Sequence, residues 1–154
     1  MSSIVLVDTS ILLNVVDVPG LNQQRTDVLA AFSERIDNGD HLFIPIAAII
    51  ETGNHISHLA DGRLRRQAAE RFVKEVRAAL NDEAPWKPLN MPSSAELSVW
   101  LIDFPESAMR QVGMGDLSIQ KEWAQLCKKN PMSRVLVWSA DADLQGFDHI
   151  PKGR

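Results

Sequence analysis

Two short runs of apolar, largely β-branched residues constrain the fold of this chain more than any other feature. One covers Ile4–Val7 and the other lies within residues 134–138. Apolar runs without polar alternation are typical of strands buried on both faces, as in a parallel sheet. A third short run, His41–Ile44, is stopped by Pro45. The three runs therefore predict a mainly parallel sheet inside the protein.

Segments with apolar residues at helical spacing separate these strands. They cover residues 22–38, which end before Gly39, residues 46–58 and residues 64–80. Strands that alternate with helices are typical of a layered α/β domain. The sequence therefore predicts a three-layer α/β/α sandwich with a mainly parallel central sheet, as a single domain over residues 1–154.

The remaining segments predict two more helices and a connector. Ser93 or Ser94 could cap one helix, and Asp116 stands at the glycine-flanked start of the other. Residues 84–88 contain two prolines and are predicted to form a turn or an extended connector. Trp86 lies between these prolines, where an exposed tryptophan could stack on a base.

The composition narrows the class of protein. The chain has 154 residues, of which 45% are hydrophobic and 23% charged, and one cysteine, which excludes an internal disulfide framework and a multi-cysteine zinc site. It contains no apolar run of about 20 residues and no recognisable signal peptide, so we expect a cytoplasmic protein without a membrane span. The net charge of −4 argues against a passive nucleic-acid coat protein, although acids that hold metal ions would also lower the charge.

Acidic residues follow the strands at points where a parallel sheet would gather them. Asp8 comes directly after the first strand, and Asp141 follows shortly after the last. In open α/β sheets, ligands bind outside the carboxyl ends of the strands. Glu51, on the helix after the second strand, and Asp116, at its helix start, could converge on the same edge.

Such a group of carboxylates favours divalent cations. Like charges raise one another's pKa values, and burial raises them further. Hard cations relieve this repulsion by taking oxygen ligands, and two ions roughly 4 Å apart can activate a water for phosphoryl displacement. Few histidines and a single cysteine make a zinc site less suitable than an oxygen-ligand site.

Each acid also has an ordinary structural explanation. Asp8 could simply cap a helix that begins directly after the first strand, and Asp116 could simply favour the dipole of its own helix. Glu51 could be a partly exposed helix residue, and both Asp141 and Asp143 could be turn residues of the Asx type. No single acid therefore identifies the chemistry, and the case depends on their order along the chain.

Four segments resemble, in order, the motifs of PIN-domain nucleases. Residues 5–10 look like the opening motif, in which an acid follows the first strand with a hydroxyl residue close by. Residues 43–51 resemble the second motif, which supplies a helical glutamate, and residues 113–119 resemble the third, an aspartate that opens a helix. Residues 135–144 are similar to the fourth, a strand followed by a small hydroxyl residue and spaced aspartates.

This resemblance spans nearly the whole chain and implies an enzyme that cleaves single-stranded or structured RNA with Mg²⁺ or Mn²⁺. The residues it implies as catalytic and metal-holding are Asp8, Glu51, Asp116 and Asp141, with Asp143 as a further metal ligand. The residues it implies as orienting a carboxylate or a bound water are Thr9, Ser10 and Ser139.

The resemblance also implies partners. Many small members of the family are toxins of bacterial toxin–antitoxin pairs, inhibited by a small protein that fills the active cleft, and the family suggests a homodimer. Residues 55–92 form a longer segment than the shortest toxins have, which bears on the toxin assignment more than on the nuclease chemistry.

A basic stretch could help to bind RNA. It contains Arg63, Arg66, Lys74 and Arg77, which could share one face of a long helix and guide the RNA backbone. The alternative is a solvated helix face with Glu70 and Lys74 as an i,i+4 pair, which we favour because mixed-sign helices are common.

Two histidines, His55 and His58, follow Glu51 by one and two helical turns. Either could donate a proton or contact RNA, but a histidine on a helix surface is commoner.

Two rival functions fit parts of this pattern. A catalytically silent PIN-like domain that binds RNA or protein would share the fold, but it has no physical reason to keep mutually repelling carboxylates. A phosphoryl-accepting signalling domain also collects acids at strand ends, but it needs paired acids near the first strand and a lysine near Ser139. The sequence therefore favours a metal-dependent endoribonuclease.

Overall fold

A computed structural model describes residues 2–152 of the chain. Its strands are β1 (Ile4–Val7), β2 (His41–Ile44), β3 (Trp86–Pro88), β4 (Val135–Trp138) and β5 (Asp148–His149). They form one five-stranded sheet in the order β3-β2-β1-β4-β5. The neighbours from β3 to β4 pair in parallel, and β5 pairs antiparallel with β4. The predicted mainly parallel sheet is therefore confirmed.

Helices cover both faces of this sheet. They are α1 (Thr9–Val15), α2 (Arg25–Asp37), α3 (Ile46–Ser57), α4 (Gly62–Leu80), α5 (Ser94–Met109) and α6 (Met114–Lys129), and a short 3₁₀ turn covers Ala142–Leu144. Among the described residues, no helix has the length and apolar character needed to cross a membrane.

The buried strands send alternate side chains to two separate cores. Val5 and Val7 of β1 belong to the core under α1 to α4, whereas Leu6 packs with Ile119 of α6 and Val137 of β4. Successive side chains of a strand point to opposite faces, so a central strand needs apolar residues at every position. This alternation produces the three-layer α/β/α sandwich that the unbroken apolar runs predict.

Local capping residues set the starts of three helices. The Asp8 side chain caps α1, and the Asp61 side chain accepts from two backbone N–H groups at the start of α4. Ser93, rather than Ser94, caps α5 and forms a reciprocal capping box with Glu96. Each cap satisfies helix N–H groups that have no partner within the helix.

For residues 84–88 a turn or an extended connector is predicted; Trp86–Pro88 are extended, but they form the edge strand β3, so the turn and the role as a mere connector are wrong. Trp86 is fully buried, and its ring meets Phe32 of α2 edge-on with 4.9 Å between ring centroids. An edge strand tolerates proline because one side of it needs no ladder hydrogen bonds. Trp86 is therefore a core residue, and the prediction that it stacks on an RNA base is also wrong.

Candidate active site

The carboxyl ends of β1 and β4 lie side by side and begin the site. Val7 pairs with Trp138, and the backbone N–H of Asp8 donates to the Trp138 carbonyl oxygen at 3.0 Å. Asp8 and Ser139 are thus the first residues beyond two neighbouring strands. The parallel pairing brings the first and last predicted motifs together, although they are far apart in the sequence.

Asp8 is buried and held by hydroxyl groups. Its Oδ2 accepts hydrogen bonds from Ser139 Oγ at 2.7 Å and from Ser10 Oγ at 3.0 Å. The same oxygen accepts the Ser10 backbone N–H at 3.4 Å, which makes Asp8 the N-cap of α1. Asp8 therefore caps its helix and faces the site at once, because the helix begins where the strand ends.

The three predicted orienting residues all contact the acids or the loop that carries them. Ser10 Oγ accepts the Ala140 N–H at 2.9 Å, and Ser139 Oγ accepts the Asp141 N–H at 2.8 Å. Thr9 Oγ1 donates to Glu51 Oε2 at 3.2 Å. Hydroxyl groups therefore fix the loop after β4 and restrict two of the carboxylates.

Glu51 reaches from α3 to the first turn of α6. A Cβ atom at Gly115 would lie 1.9 Å from Glu51 Oε1, so any larger residue at this position would displace the carboxylate. Helix α6 begins at Met114 with Gly113 as its N-cap, which places Asp116 in the first turn. Gly115 thus has a steric role: it leaves room for the Glu51 carboxylate, which its position next to Asp116 in the sequence does not show.

The remaining acids form the outer part of the site. One carboxylate oxygen from each of Asp116, Asp141 and Asp143 lies within 4.8 Å of the other two. Asp141 Oδ1 also accepts the Asp143 N–H at 3.1 Å and caps the short 3₁₀ turn. The Asx turn predicted here is therefore present, and it holds both aspartates beside Asp116.

Burial and the charges of its neighbours change the acidity of one of these acids, Asp116. Burial, followed by the charges of four neighbouring acids, raises the pKa of Asp116 to about 6. None of these carboxylates pairs with lysine, arginine or histidine in residues 2–152. We call this set the acid cluster: Asp8, Glu51, Asp116, Asp141 and Asp143.

A cleft of about 250 Å³ opens above the acid cluster. We call it the acidic cleft, and the residues that line it are Asp8, Thr9, Ser10, Leu13, Glu51, His55, Gly113, Asp116 and Asp141. From the sequence, His55 could donate a proton or contact RNA, although an ordinary position on the helix surface is the commoner alternative. Its spacing from Glu51 was the available signal, because residues four apart share one helix face.

The basic residues of α4 are not brought into the acidic cleft. Arg63, Arg66, Lys74 and Arg77 are exposed, and none of them lines it. Arg66 pairs with Glu70 at 3.0 Å, whereas the predicted pair between Glu70 and Lys74 is not formed within the described chain. A solvated, mixed-sign helix face fits these positions, and contact of these residues with RNA stays a prediction.

A larger cavity, of about 600 Å³, lies at the opposite edge of the sheet. Its lining includes Ser3, Asp40 and Arg134, which stand at or next to the starts of β1, β2 and β4. We call this the amino edge and the end that carries the acid cluster the carboxyl edge. Asp40 and Arg134 at this edge already have charged partners, Arg35 and Asp148, so the chemistry of the acids points to the smaller cleft.

Comparisons with known proteins bear on the fold. No protein-family model matches the chain, and no curated protein sequence matches it. The solved structure of FitAcB from Neisseria gonorrhoeae is similar, with a TM-score of 0.57 and 14% sequence identity over 93% of this chain and 91% of that chain. At this identity the similarity shows a shared, PIN-like fold and nothing about the chemistry.

Proposed function

We propose that this protein is a metal-dependent endoribonuclease that hydrolyses RNA phosphodiester bonds in the acidic cleft. The observation that carries the proposal is the convergence of five carboxylates that have no basic partner within the described chain. Unpaired like charges destabilise a folded protein, and divalent cations are the groups that compensate them best. Metal-dependent hydrolysis of a phosphodiester bond uses such an arrangement, because it needs cations held by carboxylates.

The metal-holding roles fall to Asp8, Glu51, Asp116 and Asp141, with Asp143 as a further ligand and Mg²⁺ or Mn²⁺ as the ion. When bound, the cations would activate a water and stabilise the leaving oxygen of the cleaved bond.

The hydroxyl residues keep two of these carboxylates in place. Ser10 and Ser139 hold Asp8, and Thr9 holds Glu51. Groups that orient metal ligands in this way tune affinity and activity by about 10- to 100-fold.

The partner proposal comes from the family resemblance. In FitAcB, FitB is a PIN-domain toxin with FitA as its antitoxin. We propose that this chain likewise acts as the toxin of a pair, forms a homodimer, and is inhibited by a small protein that covers the acidic cleft. A short neighbouring gene for a DNA-binding protein would support this role.

The decisive experiment is cleavage of a mixed single-stranded RNA pool with Mg²⁺, Mn²⁺ or EDTA. The native chain should cut with metal and stop in EDTA, and Asp8→Asn should not cut. Asp103→Asn is a matched control, because Asp103 is half-exposed, pairs with Lys121 and lies outside the acidic cleft. It should cut like the native chain.

Other outcomes would count against the proposal. Cleavage by Asp8→Asn at the native rate would mean that the proposed site is wrong. Because a bound inhibitor would prevent cleavage by an active enzyme, the native chain should also be tested after unfolding, removal of any inhibitor and refolding. Circular dichroism checks that it has refolded. If the refolded chain binds RNA but cuts nothing with either metal, a catalytically silent PIN-like domain becomes the better explanation.

A further inference from the structure

Among the described residues that line the acidic cleft, only His55 can carry a positive charge. It lies on α3, four residues after Glu51, so the two side chains leave the same face of the helix. Its side chain is exposed, and within residues 2–152 its ring makes no hydrogen bond or ion pair. His55 therefore has a donor that the fold itself does not use.

An RNA strand that entered the acidic cleft would gain from such a donor at this place. The acid cluster repels phosphates, and cations held by it would compensate for this most strongly at the phosphate nearest to them. The phosphates on either side must still pass the wall of the cleft. On this wall, as far as the structure describes it, the other polar side chains are acids or hydroxyl groups, and the hydroxyl groups of Ser10 and Thr9 already donate to Asp8 and Glu51.

We propose that His55 binds an RNA phosphate next to the one that is cleaved, an inference that rests on the proposed function. An imidazole ring carries at least one N–H donor whether it is neutral or charged, so this contact does not depend on its titration. His55 is thus a positioning residue for the substrate rather than a metal ligand. The exposed arginines of α4 lie outside the acidic cleft and cannot replace it there.

The test compares His55→Ala with two other variants. His55→Gln keeps an N–H donor, and His58→Ala removes an exposed histidine three residues along, whose Nδ1 bonds the Asn54 carbonyl oxygen at 2.8 Å outside the cleft. We would measure kcat and KM for a single-stranded RNA of defined sequence with Mn²⁺. We would also measure the Kd of the same RNA with each substitution placed in Asp8→Asn, by fluorescence anisotropy.

We expect His55→Ala to raise KM and Kd about tenfold, since a hydrogen bond to a charged group is lost, and to leave kcat nearly unchanged. His55→Gln should recover part of the binding, and His58→Ala should match the native chain. If the native chain cuts RNA and His55→Ala leaves both KM and Kd unchanged, this inference alone is overturned. A fall in kcat at constant KM would overturn it too. A native chain that neither cuts nor binds RNA would overturn the proposed function as well.

Discussion

The two edges of the central sheet both gather acidic residues, but they compensate the charges in opposite ways. At the amino edge, Asp40 accepts from the Ser3 backbone N–H at 2.8 Å and from Arg35 at 3.3 Å. Asp148 receives two bonds from Arg134, at 3.0 and 2.8 Å. At the carboxyl edge, the acid cluster has hydroxyl and backbone donors but no arginine or lysine partner in residues 2–152.

The pKa values of acids at the two edges shift in opposite directions, in agreement with this difference. The guanidinium of Arg134 lowers the pKa of Asp148, whereas burial and neighbouring acids raise the pKa of Asp116 to about 6. Acids that have cationic partners support the fold, whereas the acid cluster has none in residues 2–152 and fits the cation binding proposed for it. The contrast assigns a structural role to one edge and a candidate chemical role to the other.

Removing one charge from the acid cluster should have the largest effect. Asp116→Asn keeps the side-chain shape but removes the charge of a proposed metal ligand, so we expect RNA cleavage to fall about a thousandfold or more. Asp148→Asn, the matched change at the amino edge, should leave cleavage unchanged. Initial rates with Mn²⁺ measure both. Equal losses would show that the two edges do not differ in function.

Divalent cations should stabilise the protein through the carboxyl edge. At about one hundred times its Kd, Mn²⁺ should raise the free energy of unfolding by about 2.7 kcal/mol. The gain should persist in Asp148→Asn and shrink in Asp116→Asn. Thermal unfolding with and without Mn²⁺, after EDTA treatment, tests this. A full gain in Asp116→Asn would place the cations elsewhere.

Gly115→Ala should disturb the site without disturbing the fold. The added Cβ would displace the end of the flexible Glu51 side chain, so we expect cleavage to fall about tenfold while alanine supports the helix. Gly53→Ala is the control, because its Cβ would meet Phe72 at an ordinary 3.7 Å. The cleavage rates and melting temperatures of both variants, compared with those of the native chain, test this prediction. Unchanged cleavage by Gly115→Ala would mean that the position of Glu51 is unimportant.

The two edges should respond to pH with opposite signs in metal-free protein. Because the folded pKa of Asp116 is raised from 3.8 to about 6, the folded state holds this proton more tightly than the unfolded state. Native stability should therefore fall as pH rises from about 4 to about 6, and Asp116→Asn should remove this fall. After allowance for solvent screening, we expect Asp116→Asn to gain about 1 kcal/mol at pH 7.

Asp148 should show the reverse dependence of stability on pH, with a smaller effect. Its pKa is lowered in the folded state, so its pair with Arg134 contributes stability above the unfolded pKa and loses it as pH falls through the folded value. Asp148→Asn should cost about 0.5 kcal/mol at pH 7 and less in acid. Urea unfolding of both variants across pH 3 to 8 measures these differences. A parallel pH response of the two variants would contradict the contrast between the edges.

The sequence by itself determined the parallel core of the sheet. Ile4–Val7 and Val135–Trp138 could be predicted as strands because a strand buried on both faces must be apolar at every position. The edge strand β3 could not be predicted in this way. Trp86 is buried by Phe32, a residue from a distant helix, and this contact outweighs the local signal of two prolines.

The candidate site likewise has one part that the sequence predicts and one part that only the tertiary structure determines. Asp8, Glu51, Asp116 and Asp141 could be nominated from their order along the chain, from their positions after strands or on helices, and from the family resemblance that these motifs carry. Their convergence depends on tertiary structure, because it requires β1 and β4 to be neighbours and α6 to begin against Glu51.

Tertiary structure also decided which other residues share the acidic cleft. The fold brings His55 into it and leaves the arginines of α4 outside. A sequence records which side chains a helix carries and how they are spaced along it. Only the packing of that helix against its neighbours decides which of its faces meets the site.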